Sequence, residues 1–379
     1  VGGLAGRAYR RVLLAIRRDE SRYLDEALSL LRALGIDGAE VIYVKRPSHR
    51  YYIQEDRVSS MASNGSVPDL VVVYDKLKPW QFYNLSRDLG CEVWDLVLLL
   101  LKIFEIHAGT REAKLQIELS EARHMIPFVK EYIRMTKIGE QVGFMGPGAY
   151  GYESLLRTLR RKEARISREL FHIKERRERL VLSRNRRGYP HVAIIGYTCA
   201  GKTTLYNILT GDSKPTGPLP FKTLAPKSRA GVTPCGTIIF TDTIGFIRKM
   251  PEEIVEVFHA VIAEIASADS LVFVIDSLDP LDEVAEKVET ALEILDRVGA
   301  RDKPIAVVFN KIDLLPGGRA RGEVEDLVRG VMESMGFKPR SFTWISASRG
   351  INIDEMLISI CSSIGINSSN APNRFQDIS

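Results

Sequence analysis

The sequence predicts a multidomain α/β protein, and three observations support this fold class. An apolar strand runs into a glycine-rich loop and a helix at residues 191–209. Strand-like and helix-like segments alternate on both sides of the middle of the chain, the pattern of mostly parallel sheets. Residues 107–187 carry helical spacing without strands. The expected division is a small N-terminal α/β domain over 1–106, a coiled-coil-like antiparallel helical hairpin over 107–187, a C-terminal phosphate-loop domain with a mostly parallel sheet over 188–365, and a disordered tail over 366–379. A length of 379 residues fits two or three domains.

In the first of these domains, Tyr23, Leu24, Ala27, Leu30, Leu31 and Leu34 recur at helical spacing, so residues 8–34 read as helical in places. Residues 39–45 and 70–74 are β-branched runs and read as strands, and the polar stretch 46–68 between them has no clear pattern. Pro79–Leu89 reads as a helix stopped by Gly90, and 91–101 as a strand running into an apolar helix. In the hairpin, Leu115, Leu119, Ala122, Ile126, Val129 and Ile133 alternate steps of four and three, which keeps one apolar seam toward a partner helix. Pro127 falls inside that run, where a bend is expected. Gly139, Gly143, Gly146, Gly148 and Gly151 mark the connecting loop, and Leu159, Ile166, Ile173 and Leu180 recur every seventh residue beyond it.

Charge is unevenly placed. The whole chain carries a formal net charge of +5, yet residues 151–188 hold eleven Arg and two Lys against five Glu. Such a stripe is either a solvated helical face, a surface for nucleic-acid phosphates, or a protein-binding surface. Cys91, Cys199, Cys235 and Cys361 form no CxxC pair or Cys/His cluster, so reduced cysteines, a reducing compartment and no structural metal are expected. The apolar run Leu96 to Leu101 is far shorter than the ~20 residues that cross a bilayer, and a cytoplasmic chain without membrane-spanning contact is expected. No repeated apolar surface calls for a dimer, so a monomer is expected.

The chemistry concentrates after residue 190. In HVAIIGYTCAGKTTLYNIL, residues 191–195 form the strand, and Gly196, Tyr197, Thr198, Cys199, Ala200, Gly201, Lys202 and Thr203 match G-x-x-x-x-G-K-[ST], with Thr204 opening the helix. Backbone N–H groups of such a loop turn toward phosphates, the helix start adds positive potential, Lys202 bridges β- and γ-phosphates, and Thr203 ligates Mg2+. Downstream, a β-branched strand delivers Asp242, and Thr243, Ile244 and Gly245 complete DxxG. That carboxylate can hold a magnesium-bound water, and the Gly245 N–H can sense a γ-phosphate. Strand 305–309 then ends in Asn310-Lys311-Ile312-Asp313. Asp313 can accept from guanine N1–H and the N2 amino group, a donor pair adenine lacks, and leaving a buried polar group unmatched costs about 1–3 kcal/mol. Asn310 supports the loop, and the Lys311 stem covers the base. Ser346, Ala347 and Ser348 supply a backbone N–H for guanine O6, while Asp276, ending the apolar run 271–275, reads as structural. Together these elements imply a Mg2+-dependent GTPase domain with GTP as substrate, and Lys202 and Gly245 as candidate catalytic residues.

The segment 210–236 must hold the second magnesium ligand, with Thr216, Thr223 and Thr233 as candidates. Many switch GTPases carry Gln directly after DxxG to orient water, but here that residue is Phe246. A slow basal rate is expected, with Phe246 turned into the core.

These residues resemble the HflX family of ribosome-associated GTPases. GYTCAGKTTLYNILTG is similar to the family's GYTNAGKSTLFN, with Cys199 in the place of Asn and Thr203 in the place of Ser. FKTL at 221–224 resembles FATLD, which selects Thr223 as both magnesium ligand and candidate catalytic residue, although Ala225 replaces the Asp. DTIGFIRKMP from Asp242 is close to DTVGFIRKLP, and TREAKLQIEL from Thr110 resembles TREGKLQVEL. Met145-Gly146-Pro147-Gly148-Ala149 departs from GPGE by losing the carboxylate. The resemblance implies docking on the large ribosomal subunit, contact with rRNA through the N-terminal domain and basic helices, and subunit splitting or rescue timed by the GTP/GDP cycle. Adenine-nucleotide binding by the N-terminal domain is a weaker, secondary reading of the resemblance, and the sequence holds no second phosphate loop there. The competing reading is a GTP-dependent switch whose helical domain recruits a non-ribosomal protein.

Overall fold

The structure, a computed structural model, describes residues 9–139, 148–185, 188–213, 217, 220–221, 227–257, 264–315 and 321–365. The chain divides into two compact units, Val1–Arg177 with Pro251–Val257, and Glu178–Met250 with Phe258–Ser379.

The first unit is built on a four-stranded parallel sheet in the order β2-β1-β3-β4, formed by β1 (Val12–Arg17), β2 (Glu40–Val44), β3 (Leu70–Val73) and β4 (Glu92–Trp94). Helices α1 (Leu24–Arg32), α2 (Glu55–Ser63), α3 (Pro79–Leu89) and α4 (Leu96–His107) connect or follow these strands. Two of these elements differ from the sequence expectation. Residues 12–17 form a sheet strand in place of a helix, because VLLAI is buried on both faces and so shows no alternation. Within the polar stretch 46–68 lies α2, which buries only Val58 and therefore has almost no apolar stripe to read.

The hairpin consists of α5 (Arg111–Gly139) and α6 (Gly148–Asn185). Thr110 caps α5 by accepting from the Ala113 N–H at 3.1 Å, and the helix runs on through Pro127. The antiparallel register is recorded by Glu118–Lys162 at 3.1 Å, Arg123–Glu163 at 3.1 Å and Lys137–Glu153 at 2.9 Å. Exposed pairs like these add only about 0–1 kcal/mol each, so packing does the holding. Phe128 of α5 stacks on Phe82 of α3 with centroids 4.4 Å apart. Asp95 caps α4 by accepting from the Leu98 N–H at 3.0 Å and meets His124 Nε2 of α5 at 2.9 Å, which satisfies a carboxylate with no exposed surface. The short helix α8 (Glu252–Val257) also belongs to this unit, where Ile254 and Val257 are buried and Glu253 pairs with Lys76.

The second unit carries a six-stranded sheet in the order β10-β9-β8-β5-β7-β6. Its strands are β5 (His191–Gly196), β6 (Lys227–Thr233), β7 (Gly236–Asp242), β8 (Ser270–Asp276), β9 (Ile305–Asn310) and β10 (Pro339–Trp344), parallel except for the β6–β7 hairpin. Helix α7 (Lys202–Thr210) follows β5, and α9 (Leu281–Arg297), α10 (Arg321–Ser334) and α11 (Ile353–Ser363) follow β8, β9 and β10. β5 lies between β7 and β8, so strand order reverses beside it, and the loop after β5 occupies the crevice where open parallel sheets bind ligands. Edge strand β6 was unreadable in 210–236 because most of its residues are exposed and polar.

The expectation of reduced cysteines fails here. Cys235, in the β6–β7 turn, is bonded to Cys361 of α11 across 126 residues of sequence. Both sit in the apolar cluster with Leu205, Ile238, Phe240 and Met356. Spacing could not reveal a pair that only sheet topology brings together. Cys91 and Cys199 are not part of a disulfide.

Candidate active site

The loop from Gly196 to Lys202 joins β5 to α7. Cys199 takes a positive φ of 63° and Gly201, at the N-terminus of α7, one of 94°. Lys202 is buried and donates from Nζ to the Tyr197 carbonyl, closing the loop on itself. Burial pushes its pKa down to about 8, against the opposing pull of Asp242. Thr203 and Thr204 lie in the first turn of α7, and the Thr203 hydroxyl is 3.2 Å from Asp242 Oδ2 at the end of β7. Both are hard oxygen donors, and that chemistry suits Mg2+.

Asn310 joins the two halves of the site. Its Nδ2 donates to the Ala200 carbonyl at 2.8 Å, and its Oδ1 accepts from the Ala347 N–H at 2.9 Å. One buried side chain therefore ties the phosphate-type loop to the 346–348 loop. Lys311 adopts a φ of 74° and donates from Nζ to Asp276, whose Oδ1 accepts from the Leu278 N–H at 3.0 Å. Asp276 thus holds the Lys311 ammonium in place. Asp313 accepts from Ser348 Oγ at 3.4 Å. Hydrogen bonding, chiefly from Ser346, holds its carboxyl below the usual carboxylate range, so the acceptor stays ionised at neutral pH.

The loop after Asp242 lies against the phosphate-type loop. Phe246 is buried; its N–H donates to the Gly196 carbonyl at 3.0 Å, and its carbonyl accepts from the Thr198 N–H at 2.9 Å. A Cβ on Gly245 would come within 2.7 Å of Thr198 Cα, so only glycine permits this approach. Two residues after Phe246, Arg248 is buried with a side chain 4% exposed, donates from Nη2 to Glu283 at 2.9 Å and faces Glu286 at 4.0 Å. Lys287 of the same helix lies 5.8 Å from the Tyr197 ring centroid. Sequence reading passed over this cluster, although an Arg beside a buried Phe is a signal, since arginines are rarely buried without a partner.

Gly196 to Thr204, Asp242, Gly245, Asn310, Lys311, Asp313 and Ser346 to Ser348 all occupy the second unit, on loops at the carboxyl ends of β5, β7, β9 and β10. Thr223 and Thr216 lie outside the described residues. Thr233 is excluded as a metal ligand by its place in the hairpin, where it donates to the Gly236 carbonyl at 2.7 Å.

A strand–loop–helix with a buried lysine, a carboxylate on the neighbouring strand and an Asn-Lys-x-Asp loop tied to the glycine-rich loop define a P-loop GTPase. Residues 191–311 match a family described as a 50S ribosome-binding GTPase, 107–184 the GTP-binding GTPase middle region, and 21–105 its N-terminal region. The chain is 38% identical to GTPase HflX of Hyperthermus butylicus over 323 residues, 84% of this chain and 85% of that protein. It is 32% identical to GTPase HflX of Escherichia coli, covering 88% and 77%. A crystal structure of a GTP-binding protein from the hyperthermophilic archaeon Sulfolobus solfataricus in complex with GDP matches 94% of this chain and 98% of its own at 29% identity and a TM-score of 0.51. A second structure, described as SsGBP and GDP complex, gives a TM-score of 0.55 at the same identity and coverage. The chain belongs to the HflX family of GTPases.

The lowered Lys202 pKa sets a pH dependence. Its ordinary value is 10.5, so between about pH 8 and 10.5 the unfolded chain binds more protons, and the buried lysine adds stability as pH rises. Nucleotide binding is expected to run the other way, because a phosphate held by Lys202 needs the ammonium. Dissociation constants for GTP, followed by fluorescence titration from pH 6 to 9.5, should stay flat to about pH 7.5. Above about pH 8 they should rise toward tenfold per unit, with proton uptake on binding.

Proposed function

We propose that this GTPase works on the large ribosomal subunit and couples its GTP/GDP cycle to association with that subunit, including rRNA, with splitting or rescue of ribosomes as the outcome. The observation that carries the nucleotide assignment is the double hydrogen bond of Asn310, which fixes the loop for phosphates and the loop for guanine in one geometry. In this reading, Gly196 to Thr204 wrap the phosphates, Lys202 neutralises them, and the Gly245 N–H reads the γ-phosphate. Asp313 and the Ala347 N–H select guanine, while Ser346 and Ser348 hold Asp313 in place. Thr203 and Thr223 would hold Mg2+ directly and Asp242 through water, and the ion would supply positive charge to the phosphates.

Ribosome association is supported by the family that residues 191–311 match and by the eleven arginines of 151–188. The proposed parts are 1–106, 107–187, 188–365 and a tail from 366, acting as a cytoplasmic monomer. A disulfide fits that compartment if the source is a hyperthermophile, whose intracellular proteins are an exception to the reducing rule. The S. solfataricus relative comes from such an archaeon. With Phe246 buried in place of Gln, basal turnover should be slow and rise when a partner orders the site.

Sedimentation with purified large subunits tests this reading. More protein should pellet with a non-hydrolysable GTP analogue than with GDP, less at high salt, and the subunits should accelerate GTP hydrolysis. Turnover that stays flat across a subunit titration at low salt would reject the ribosomal role. Ribonuclease-insensitive capture of a protein would favour the non-ribosomal switch.

A further inference from the structure

The loop that reads the γ-phosphate is pinned down at two places. Its backbone pairs with the phosphate loop through Phe246, whose N–H and carbonyl bond Gly196 and Thr198 at 3.0 and 2.9 Å. Gly245 is packed on Thr198 closely enough that not even a Cβ fits between them, and the Thr198 N–H, a donor of the phosphate loop, is engaged by the Phe246 carbonyl, so it is released to a phosphoryl oxygen only when this seam opens. Two residues after Phe246, Arg248 is anchored away from the loop. Its guanidinium sits among Glu283 and Glu286 of α9, and that helix is itself tied to the phosphate loop by Lys287 over Tyr197. A buried arginine held by carboxylates is hard to move, because separating the charges leaves the guanidinium uncompensated in a poorly solvated place, while Glu283 keeps Lys287 at 3.4 Å.

We propose that Arg248 is a positioning residue whose grip on Glu283 and Glu286 holds Gly245 and Phe246 down on Gly196–Thr198, so that the γ-phosphate of GTP has to work against this anchor while GDP does not. The inference deepens the nucleotide assignment made above and rests on it. The anchor biases the site toward GDP. Any group that loosens the Arg248–Glu283 pair shifts the protein toward its GTP-loaded form, since a ligand moves such an equilibrium only through its different affinity for the two arrangements. It also gives a physical use to the Phe that stands where Gln is common, because a buried apolar side chain holds the loop on the core when the seam is closed.

The test compares dissociation constants of the full chain for GDP and for a non-hydrolysable GTP analogue. In Glu283→Gln and in Arg248→Met the preference for the analogue over GDP should rise by roughly fivefold to tenfold, the scale of a lost charge-assisted hydrogen bond. The double variant should show no more than either alone, and Arg248→Lys should recover part of the original ratio. An unchanged ratio, or equal weakening of both nucleotides, would reduce Arg248 to a structural residue and overturn the inference. A falling ratio would also overturn it, by showing that the arginine helps hold the γ-phosphate. If Arg248→Met does not fold, Glu283→Gln alone decides. Failure of the unmodified chain to bind either nucleotide would instead remove the nucleotide assignment, and the inference with it.

Discussion

Replacing Cys361 with Ser is expected to lower the stability of the nucleotide-binding unit by about 4–5 kcal/mol, the chain-entropy value for closing a loop of this size. The bond closes 126 residues, running from the β6–β7 turn through β7, β8, β9 and β10 to α11. It joins the strand that delivers Asp242 to the helix that follows the 346–348 loop, so it spans both halves of the site. For a unit of this size the loss corresponds to a midpoint lower by roughly 10–20 °C. Both cysteines are buried, so external thiols should attack slowly, and the variant is a cleaner probe than a reductant. Calorimetry of the native chain, of Cys361→Ser and of Cys235→Ser should give the same shift in both variants. Midpoints within a degree or two of the native value would mean that the cross-link is not formed in the folded protein.

Asn310→Ala should cost guanine-nucleotide affinity on the order of a hundredfold, because it leaves the buried Ala347 N–H and Ala200 carbonyl without their partners, at about 1–3 kcal/mol each. Asn310→Asp keeps an acceptor for Ala347 and loses the donor to Ala200, so it should fall between. Gly201→Ala should act through the same residue from the other side, since its Cβ would come within 2.2 Å of Asn310 Nδ2. Fluorescence titration of the three variants with GDP should rank them, with Asn310→Ala the weakest of the Asn310 pair. Equal affinity across the set would show that the two loops hold their geometry without Asn310.

What was legible in the sequence depended on whether a residue's role is local. The loop from Gly196 to Thr203 could be read because strand, glycines and helix are contiguous, and Pro79–Leu89 because a helix and its stop at Gly90 are local features. β1 was lost because a strand buried on both faces has no period, and β6 because an exposed edge has no apolar face. On α5 the spacing from Leu115 to Ile133 was visible, yet its buried residues include Ser120 and His124, polar residues that periodicity discounts. His124 is buried only because Asp95 of another helix meets it. Cys235–Cys361 and Arg248–Glu283 share this property, as each is a contact across long sequence distance with no local trace. Asn310 stood within a recognisable motif, but its bond to Ala200 could be seen only in three dimensions.

The central claim is that the second unit grips a guanine nucleotide, with Asp313 as the group that recognises the base. Calorimetric titration of the full chain with GTP, ATP and xanthosine triphosphate, repeated on Asp313→Asn, tests it most directly. GTP should bind at least a hundredfold more tightly than ATP, and the variant should lose GTP and gain the xanthine nucleotide, because its amide donates where the carboxylate accepted. Equal heats for GTP and ATP in the native chain, or a variant with unaltered preference, would contradict it.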